Sequence, residues 1–183
     1  MKTLEDQMSF YAAYHQDARN KATHFVDVPA IMLSLFIPLD WLRIEGADVF
    51  GLPLSAALLL AAVVLVYYFM LDLALGAAML VVTALLLYAG HAIAEQSLWA
   101  GWIWFAVTFV GGWILQLIGH AYEGRRPALA DNLFQIFVAP IFLCAEAFFA
   151  LGYRPQLHAA VQRRALEMRG QAGRIDLSQE SRA

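Results

Sequence analysis

Charged residues are almost absent from the middle of this chain. Between positions 49 and 122 the only Asp, Glu, Lys or Arg residues are Asp72 and Glu95. Over all 183 residues, 61% are hydrophobic and 15% are charged, whereas soluble domains average about 45–50% and about 25%. Because a helix needs about 20 apolar residues to cross a bilayer, the sequence predicts an all-α, polytopic membrane helical bundle.

Five apolar segments follow one another along the chain. Three lie at residues 53–70, 73–94 and 98–119, and two more, at 21–42 and 132–152, are interrupted by proline and charged residues. We expect about four segments to cross the membrane completely. The fifth, 132–152, is expected to enter and leave on one side.

Basic residues set the expected orientation, because cytoplasmic flanks carry an excess of Lys and Arg. They form three groups. The group before the first apolar segment is Lys2, Arg19 and Lys21, the group after the fourth is Arg125 and Arg126, and the group after the fifth is Arg154, Arg163, Arg164 and Arg169. All three groups share one side only if residues 132–152 re-enter around Pro140. We therefore predict a multi-pass integral membrane protein with both termini on the cytoplasmic side.

The two ends of the chain are more polar than its middle. Residues 1–20 carry acids where a signal peptide would be apolar, and apolar residues recur there at helical spacing: Leu4, Met8, Tyr11 and Ala12. This pattern predicts an amphipathic helix on the bilayer surface. At the other end we expect a polar helix with a frayed tail at 170–183, and we divide the chain into a membrane-embedded domain, 1–157, and a polar extension, 158–183.

Composition excludes several functions. The 12 basic and 15 acidic residues leave no basic field for phosphates, so no nucleic-acid partner is expected. Cys144 is the only cysteine, which excludes an internal disulfide and a multi-cysteine zinc site. The chain contains no Gly-x-Ser-x-Gly motif and no phosphate-binding glycine-rich loop.

A polar stripe ends the fourth apolar segment. Gln116, His120 and Glu123 share one helical face at spacings of four and three residues. Ionisable groups at membrane depth are costly and often mark functional paths, and a His-x-x-Glu spacing can deliver both side chains to one metal ion. A hydrogen-bonded anchor at the membrane interface remains the alternative.

The other histidines differ in their surroundings. A helix break is expected at 16–20, between His15 and His24, so a turn can fold them towards each other. Imidazole and carboxylate are ligands that suit iron. His91 lies four residues before Glu95, which permits a structural hydrogen-bonded pair, and we expect His158 to be solvated.

Two blocks of the sequence have a distinctive order of residues. The first runs from FYAAYH at 10–15 through NKATH at 20–24 to Pro29, and the second joins GWILQLIGH at 112–120 to EGRRPALADN at 123–132. Together with LGYRP at 151–155, these blocks resemble the Mpo-like 2-hydroxy fatty acid dioxygenase family. The region 43–111 is similar only in being apolar.

This resemblance implies a membrane-bound, Fe(II)-dependent dioxygenase of fatty acid α-oxidation, with residues 1–157 as its catalytic domain. Its substrates would be O₂ and a 2-hydroxy fatty acid, which would lose one carbon as CO₂. Eukaryotic members act at the endoplasmic reticulum, and a bacterial member would lie in the inner or plasma membrane. A non-enzymatic lipid-binding, transport or scaffold protein is the alternative.

The resemblance also implies roles for individual residues. It assigns His15, His24 and His120 as iron ligands and Glu123 as a carboxylate ligand or a residue that orients a ligand. These three histidines must then converge, with His24 and His120 no more than about 10 Å apart, since metal–ligand bonds are near 2 Å. Four further residues match polar family positions and would hold the imidazoles: Asn20, Gln116, Asp131 and Asn132. Helix capping is an equal explanation for Asn132. Arg125 and Arg126 would clamp the substrate carboxylate or anchor lipid headgroups.

Overall fold

The structure is a computed structural model that describes residues 3–124 and 134–180, with side chains in 3–124 and 134–171. Seven helices and one β-hairpin occur in these ranges: α1 Leu4–Ala12, α2 Ala18–Asp40, β1 Arg43–Val49, β2 Leu52–Ser55, α3 Ala56–Leu71, α4 Leu73–Ala94, α5 Leu98–Glu123, α6 Gln135–Ala150 and α7 Pro155–Glu180. The predicted helical bundle is confirmed.

Helices α2 to α5 form the body of the bundle, with α2 packed along both α4 and α5. Within the described residues, three helices are long and apolar enough to cross a membrane: α2, α4 and α5. Helices α3 and α6 are apolar but have only 16 residues each. Large apolar side chains on α3, α4 and α5 point outward, as expected of surfaces that face lipid: Leu59, Val63, Val81, Leu85, Val107 and Val110.

The hairpin is the element that the sequence did not predict. We expected one apolar segment over 53–70, but residues 52–55 pair antiparallel with β1, and α3 begins only at Ala56. Gly51, with φ at 75°, supplies the left-handed turn that the hairpin requires. The Ser55 hydroxyl then accepts a hydrogen bond from Leu58 N and caps α3.

Helix α1 has the predicted amphipathic form but a different partner. Thr3 and Asp6 form a capping box at its start. Its apolar residues Leu4, Met8 and Tyr11 are buried in the protein core instead of facing lipid. Helices α6 and α7 cover this face, because α7 contributes buried apolar residues of its own and its Arg164 pairs with the acids of α1.

Two ion pairs attach the C-terminal region to the ends of other helices. Arg169 of α7 pairs with Glu123 at the end of α5, and Arg154 pairs with Asp72 between α3 and α4. The expected one-sided path of residues 132–152 includes positions outside the described residues and stays a prediction. Helix α7 continues to Glu180, through most of the expected frayed tail, and the division at residue 157 stays a prediction.

Candidate metal centre

His15 lies in the short link between α1 and α2. Its ring stacks on Tyr11, with centroids 4.0 Å apart, and its Nδ1 donates to the Tyr11 carbonyl oxygen at 2.8 Å. That bond leaves Nε2 with the free lone pair, and this buried atom has no hydrogen-bond partner among the described residues. Burial lowers the pKa of His15 well below its ordinary value, so the ring is neutral and can bind a metal.

His24 is held in the same manner on the first turns of α2. Its Nδ1 lies 2.8 Å from the Asp27 carboxylate, one helical turn further on, and both side chains are fully buried. Its Nε2 likewise has no hydrogen-bond partner in the part of the chain that the structure describes. A carboxylate on the far nitrogen fixes the ring orientation and makes it a stronger metal ligand.

His120 comes to this pair because α5 packs very closely on α2. Gly119 permits the approach, since a Cβ there would collide with Thr23 and with the Asn20 carboxamide. About two helical turns before Gly119, a Cβ at Gly112 would lie 2.7 Å from Ile31 Cγ1. Two glycines on one face of α5 thus place a histidine of a third element beside His15 and His24.

The three imidazoles form one compact cluster. Ring centroids are 4.8 Å apart for His15 and His24, 4.9 Å for His15 and His120, and 5.1 Å for His24 and His120. One ligand nitrogen from each lies within 4.8 Å of the others. Two ligands of one ion lie at most about 4.2 Å apart, so small ring movements suffice to enclose a metal. The predicted convergence of His24 with His120 is confirmed.

Glu123 has a different position from the three histidines. Its carboxylate accepts hydrogen bonds from Gln16 N at 2.9 Å, Asp17 N at 2.7 Å and Asn20 Nδ2 at 3.3 Å, and it also pairs with Arg169. These donors occupy it, and it is not part of the cluster of ligand atoms. Of its two predicted roles, the geometry therefore favours orientation: Glu123 ties α5 and α7 to the link that carries His15.

The remaining predicted residues divide into two groups. Asn20 is buried beside Glu123, and Gln116 is buried one turn before His120, but no hydrogen bond from either to an imidazole is observed among the described residues. Arg125, Arg126, Asp131 and Asn132 lie outside the described residues. Their roles stay predictions.

A second cluster lies at the other end of α2. His91 Nδ1 bonds to Asp40 at 2.9 Å, not to Glu95 as the spacing had suggested, and Arg43 pairs with Glu95. His158 is also less exposed than expected, because its ring stacks on Phe149 with centroids 4.7 Å apart. Sequence reasoning assigned no role to Tyr11, Asp27 or Asp40, although a His-x-x-Asp spacing on a helix was a usable signal for Asp27.

An apolar cavity of about 200 Å³ adjoins the histidine cluster. His15, Tyr11 and Gln116 line it near the cluster, and α2, α3 and α6 supply most of the other wall residues. On α2 the lining runs from Val28 to Phe36, about 12 Å at 1.5 Å per residue. Such a shape suits an apolar chain whose polar end is near His15.

Fold and site together define a class: helical bundles of membrane type in which three histidines from separate elements meet below the surface of one end. Comparison with known proteins then places the chain within that class. It belongs to the Mpo1-like family, since the family model described as 2-hydroxy-palmitic acid dioxygenase Mpo1-like matches residues 1–151. The resemblance drawn from the sequence is confirmed.

One curated relative is similar over most of its length. The 2-hydroxy-palmitic acid dioxygenase MPO1 of Saccharomyces cerevisiae is 33% identical over 161 residues, which cover 87% of each chain. No solved structure matches the chain. The histidine cluster and cavity are therefore described from this chain alone.

Proposed function

We propose that the protein is an Fe(II)-dependent dioxygenase that converts a 2-hydroxy fatty acid and O₂ into the fatty acid one carbon shorter. The observation that carries this proposal is the buried cluster of His15, His24 and His120 at one end of an apolar cavity. The named activity of the yeast relative supports it.

The reaction balances without a further reductant. RCH(OH)COOH and O₂ give RCOOH, CO₂ and H₂O, so the bond between C1 and C2 breaks and four electrons pass from substrate to O₂. An Fe(II) ion held by the three imidazoles would supply redox chemistry towards O₂ and open positions for the hydroxyl and carboxylate oxygens.

The protein's own residues would prepare the site for this chemistry. Tyr11 O and the Asp27 carboxylate hold His15 and His24 with their Nε2 atoms towards the shared space. Glu123 fixes the link that carries His15 against α5. The apolar walls of the cavity exclude water, which strengthens polar interactions within the site.

The acyl chain of the substrate would occupy the apolar cavity. Transfer from water to an apolar site contributes about 0.8 kcal/mol per methylene, but a substrate dissolved in the bilayer has already left water. Cavity shape, not hydrophobicity, would then select chain length. Arg125 and Arg126 are proposed to hold the carboxylate or, in the alternative, to anchor lipid headgroups.

The location proposed with this activity is a membrane. Three long apolar helices fit a membrane protein, and we propose a multi-pass topology with cytoplasmic termini. The membrane would be the plasma or inner membrane in a bacterium and the endoplasmic reticulum in a eukaryote.

Turnover of a labelled substrate tests the proposal. Purified protein in lipid nanodiscs, supplied with Fe(II), O₂ and [1-¹³C]2-hydroxypalmitate, should release ¹³CO₂ and unlabelled pentadecanoate in equal amounts, as measured by mass spectrometry. A protein that takes up no iron and leaves the substrate intact would instead support lipid binding or transport without catalysis.

A further inference from the structure

Gln135 is a buried polar residue that the proposed function has not yet used. It begins α6, is 1% exposed, and lines the same cavity as His15. Neither its Nε2 nor its Oε1 has a hydrogen-bond partner among the described residues. An amide buried in this state carries an uncompensated desolvation penalty, which a hydrogen-bond partner supplied by a ligand would offset.

Gln116, on a different helix, is a second buried amide that lines this cavity. It lies on α5, one turn before His120, is 7% exposed, and its Oε1 also has no partner within the described ranges. Two amides from separate helices thus line a cavity whose other walls are almost entirely apolar. Chance burial of one glutamine does not explain two that share a cavity with a candidate metal ligand.

We propose that Gln135 and Gln116 bind the polar head of the substrate, and that Gln135 selects a 2-hydroxy acid over the plain fatty acid. The inference rests on the proposed function, because it takes the cavity as the substrate site. A saturated 2-hydroxy acid has polar atoms only at C1 and C2. Buried amides in its cavity can therefore pair only with its carboxylate or hydroxyl.

The chemistry of an amide matches that head group. Nε2 donates hydrogen bonds, which a carboxylate accepts, and Oε1 accepts a hydrogen bond, which the 2-hydroxyl donates. Palmitate lacks the hydroxyl and would leave Oε1 buried without a partner. Sites built to pair with a substrate hydroxyl reject the analogue that lacks it for this reason.

The test compares two substitutions of buried glutamines. Gln135→Met keeps the side-chain length and removes the polar atoms. Gln7→Met is the matched control, since Gln7 is also buried, at 5% exposed, but does not line the cavity. Dissociation constants for 2-hydroxypalmitate and palmitate are measured without O₂ on Fe(II)-loaded protein, with iron content and melting temperature recorded for each variant.

We expect Gln135→Met to lose the hydrogen bonds to both the carboxylate and the hydroxyl of 2-hydroxypalmitate but only the one to the carboxylate of palmitate. The preference of this variant for 2-hydroxypalmitate over palmitate should therefore fall about tenfold, as for one lost buried hydrogen bond. Its iron content should be unchanged, and its ligand-free melting temperature should equal or exceed that of wild type, since an unpaired amide has been removed. Gln7→Met should keep the wild-type preference. A residue with a structural role only would lower stability and leave the preference intact.

A second variant keeps the test informative if Gln135→Met fails to fold. Gln135→Glu keeps shape and polarity but sets a carboxylate against the substrate carboxylate, so it should weaken binding of both acids. If wild type converts 2-hydroxypalmitate and both Gln135 variants bind it equally well, the role of Gln135 is overturned and the proposed function stands. If wild type neither binds nor converts it, both proposals fail.

Discussion

Two clusters of possible metal ligands lie at opposite ends of α2, and they differ in how their charges are balanced. The first comprises His15, His24 and His120, and the second Asp40, His91 and Glu95; in each, three ligand atoms lie within 4.8 Å of one another. His24 and Asp40 are 16 residues apart along α2, about 24 Å.

In the second cluster, Arg43 supplies a positive charge and pairs with both carboxylates, and half of the Glu95 side chain is exposed. In the first cluster all three histidines are buried, and the nitrogens that face inward on His15 and His24 have no protein partner among the described residues. Proximity of ligands is thus common to both, but among the described residues only the second cluster pairs with a cation of the protein. That difference favours the proposal that the first cluster is the metal centre, and it makes the second an ion-pair network.

Loss of one imidazole should give the largest contrast between the clusters. His24→Ala or His120→Ala should reduce bound iron and turnover to background, because two remaining imidazoles cannot enclose the ion. His91→Ala should retain both. Metal analysis and the product assay check this together, and His158→Ala provides a further variant at an unrelated histidine. Iron loss in His91→Ala as well would show that the contrast is false.

Removal of the carboxylate behind each histidine should give the next largest effect. Asp27→Asn weakens the partner of His24, and such changes reduce metal affinity about 10–100-fold. Asp40→Asn makes the same change behind His91 and should leave iron affinity unaltered. Competition with a chelator of known affinity measures both. Equal affinities in the two variants would argue against a role for Asp27.

The two glutamates should differ in their effect on stability. The Glu123 side chain is 1% exposed and accepts several hydrogen bonds, so Glu123→Gln should cost about 1.5–3 kcal/mol. Glu95 forms a surface ion pair with Arg43, and such pairs contribute about 0–1 kcal/mol. Thermal unfolding of Glu95→Gln should therefore lie close to wild type, and a larger loss there than in Glu123→Gln would contradict this assignment.

The smallest of the four predicted effects is that acid should destabilise the metal-free protein through the first cluster. Burial holds the pKa of His15 below its ordinary value of 6.5, so only the unfolded chain takes up this proton near pH 6.5. Stability from this residue is present above pH 6.5 and declines as the pH falls below it. Melting temperatures at pH 8 and pH 5.5 should differ less in His15→Gln than in wild type.

The sequence predicted the bundle because apolar length alone determines which segments can cross a bilayer. It predicted the three histidines through resemblance, since His15 and His24 are separated by a helix break and His120 lies 96 positions beyond His24. The hairpin was missed because Leu52 and Leu54 lead without a charged residue into the apolar helix that follows, so the strand and the helix were taken as one segment. Gln135 was missed because one glutamine in an apolar helix gives no pattern, and its significance depends on the cavity.

The coordination of bound iron tests the central claim most directly. X-ray absorption at the iron edge of Fe(II)-loaded protein should show the scattering of three imidazole rings, identical in wild type and His91→Ala, whereas His24→Ala should retain too little iron to give a spectrum. A wild-type spectrum without imidazole scattering, or a spectrum that changes in His91→Ala, would contradict the assignment of His15, His24 and His120 as the metal centre.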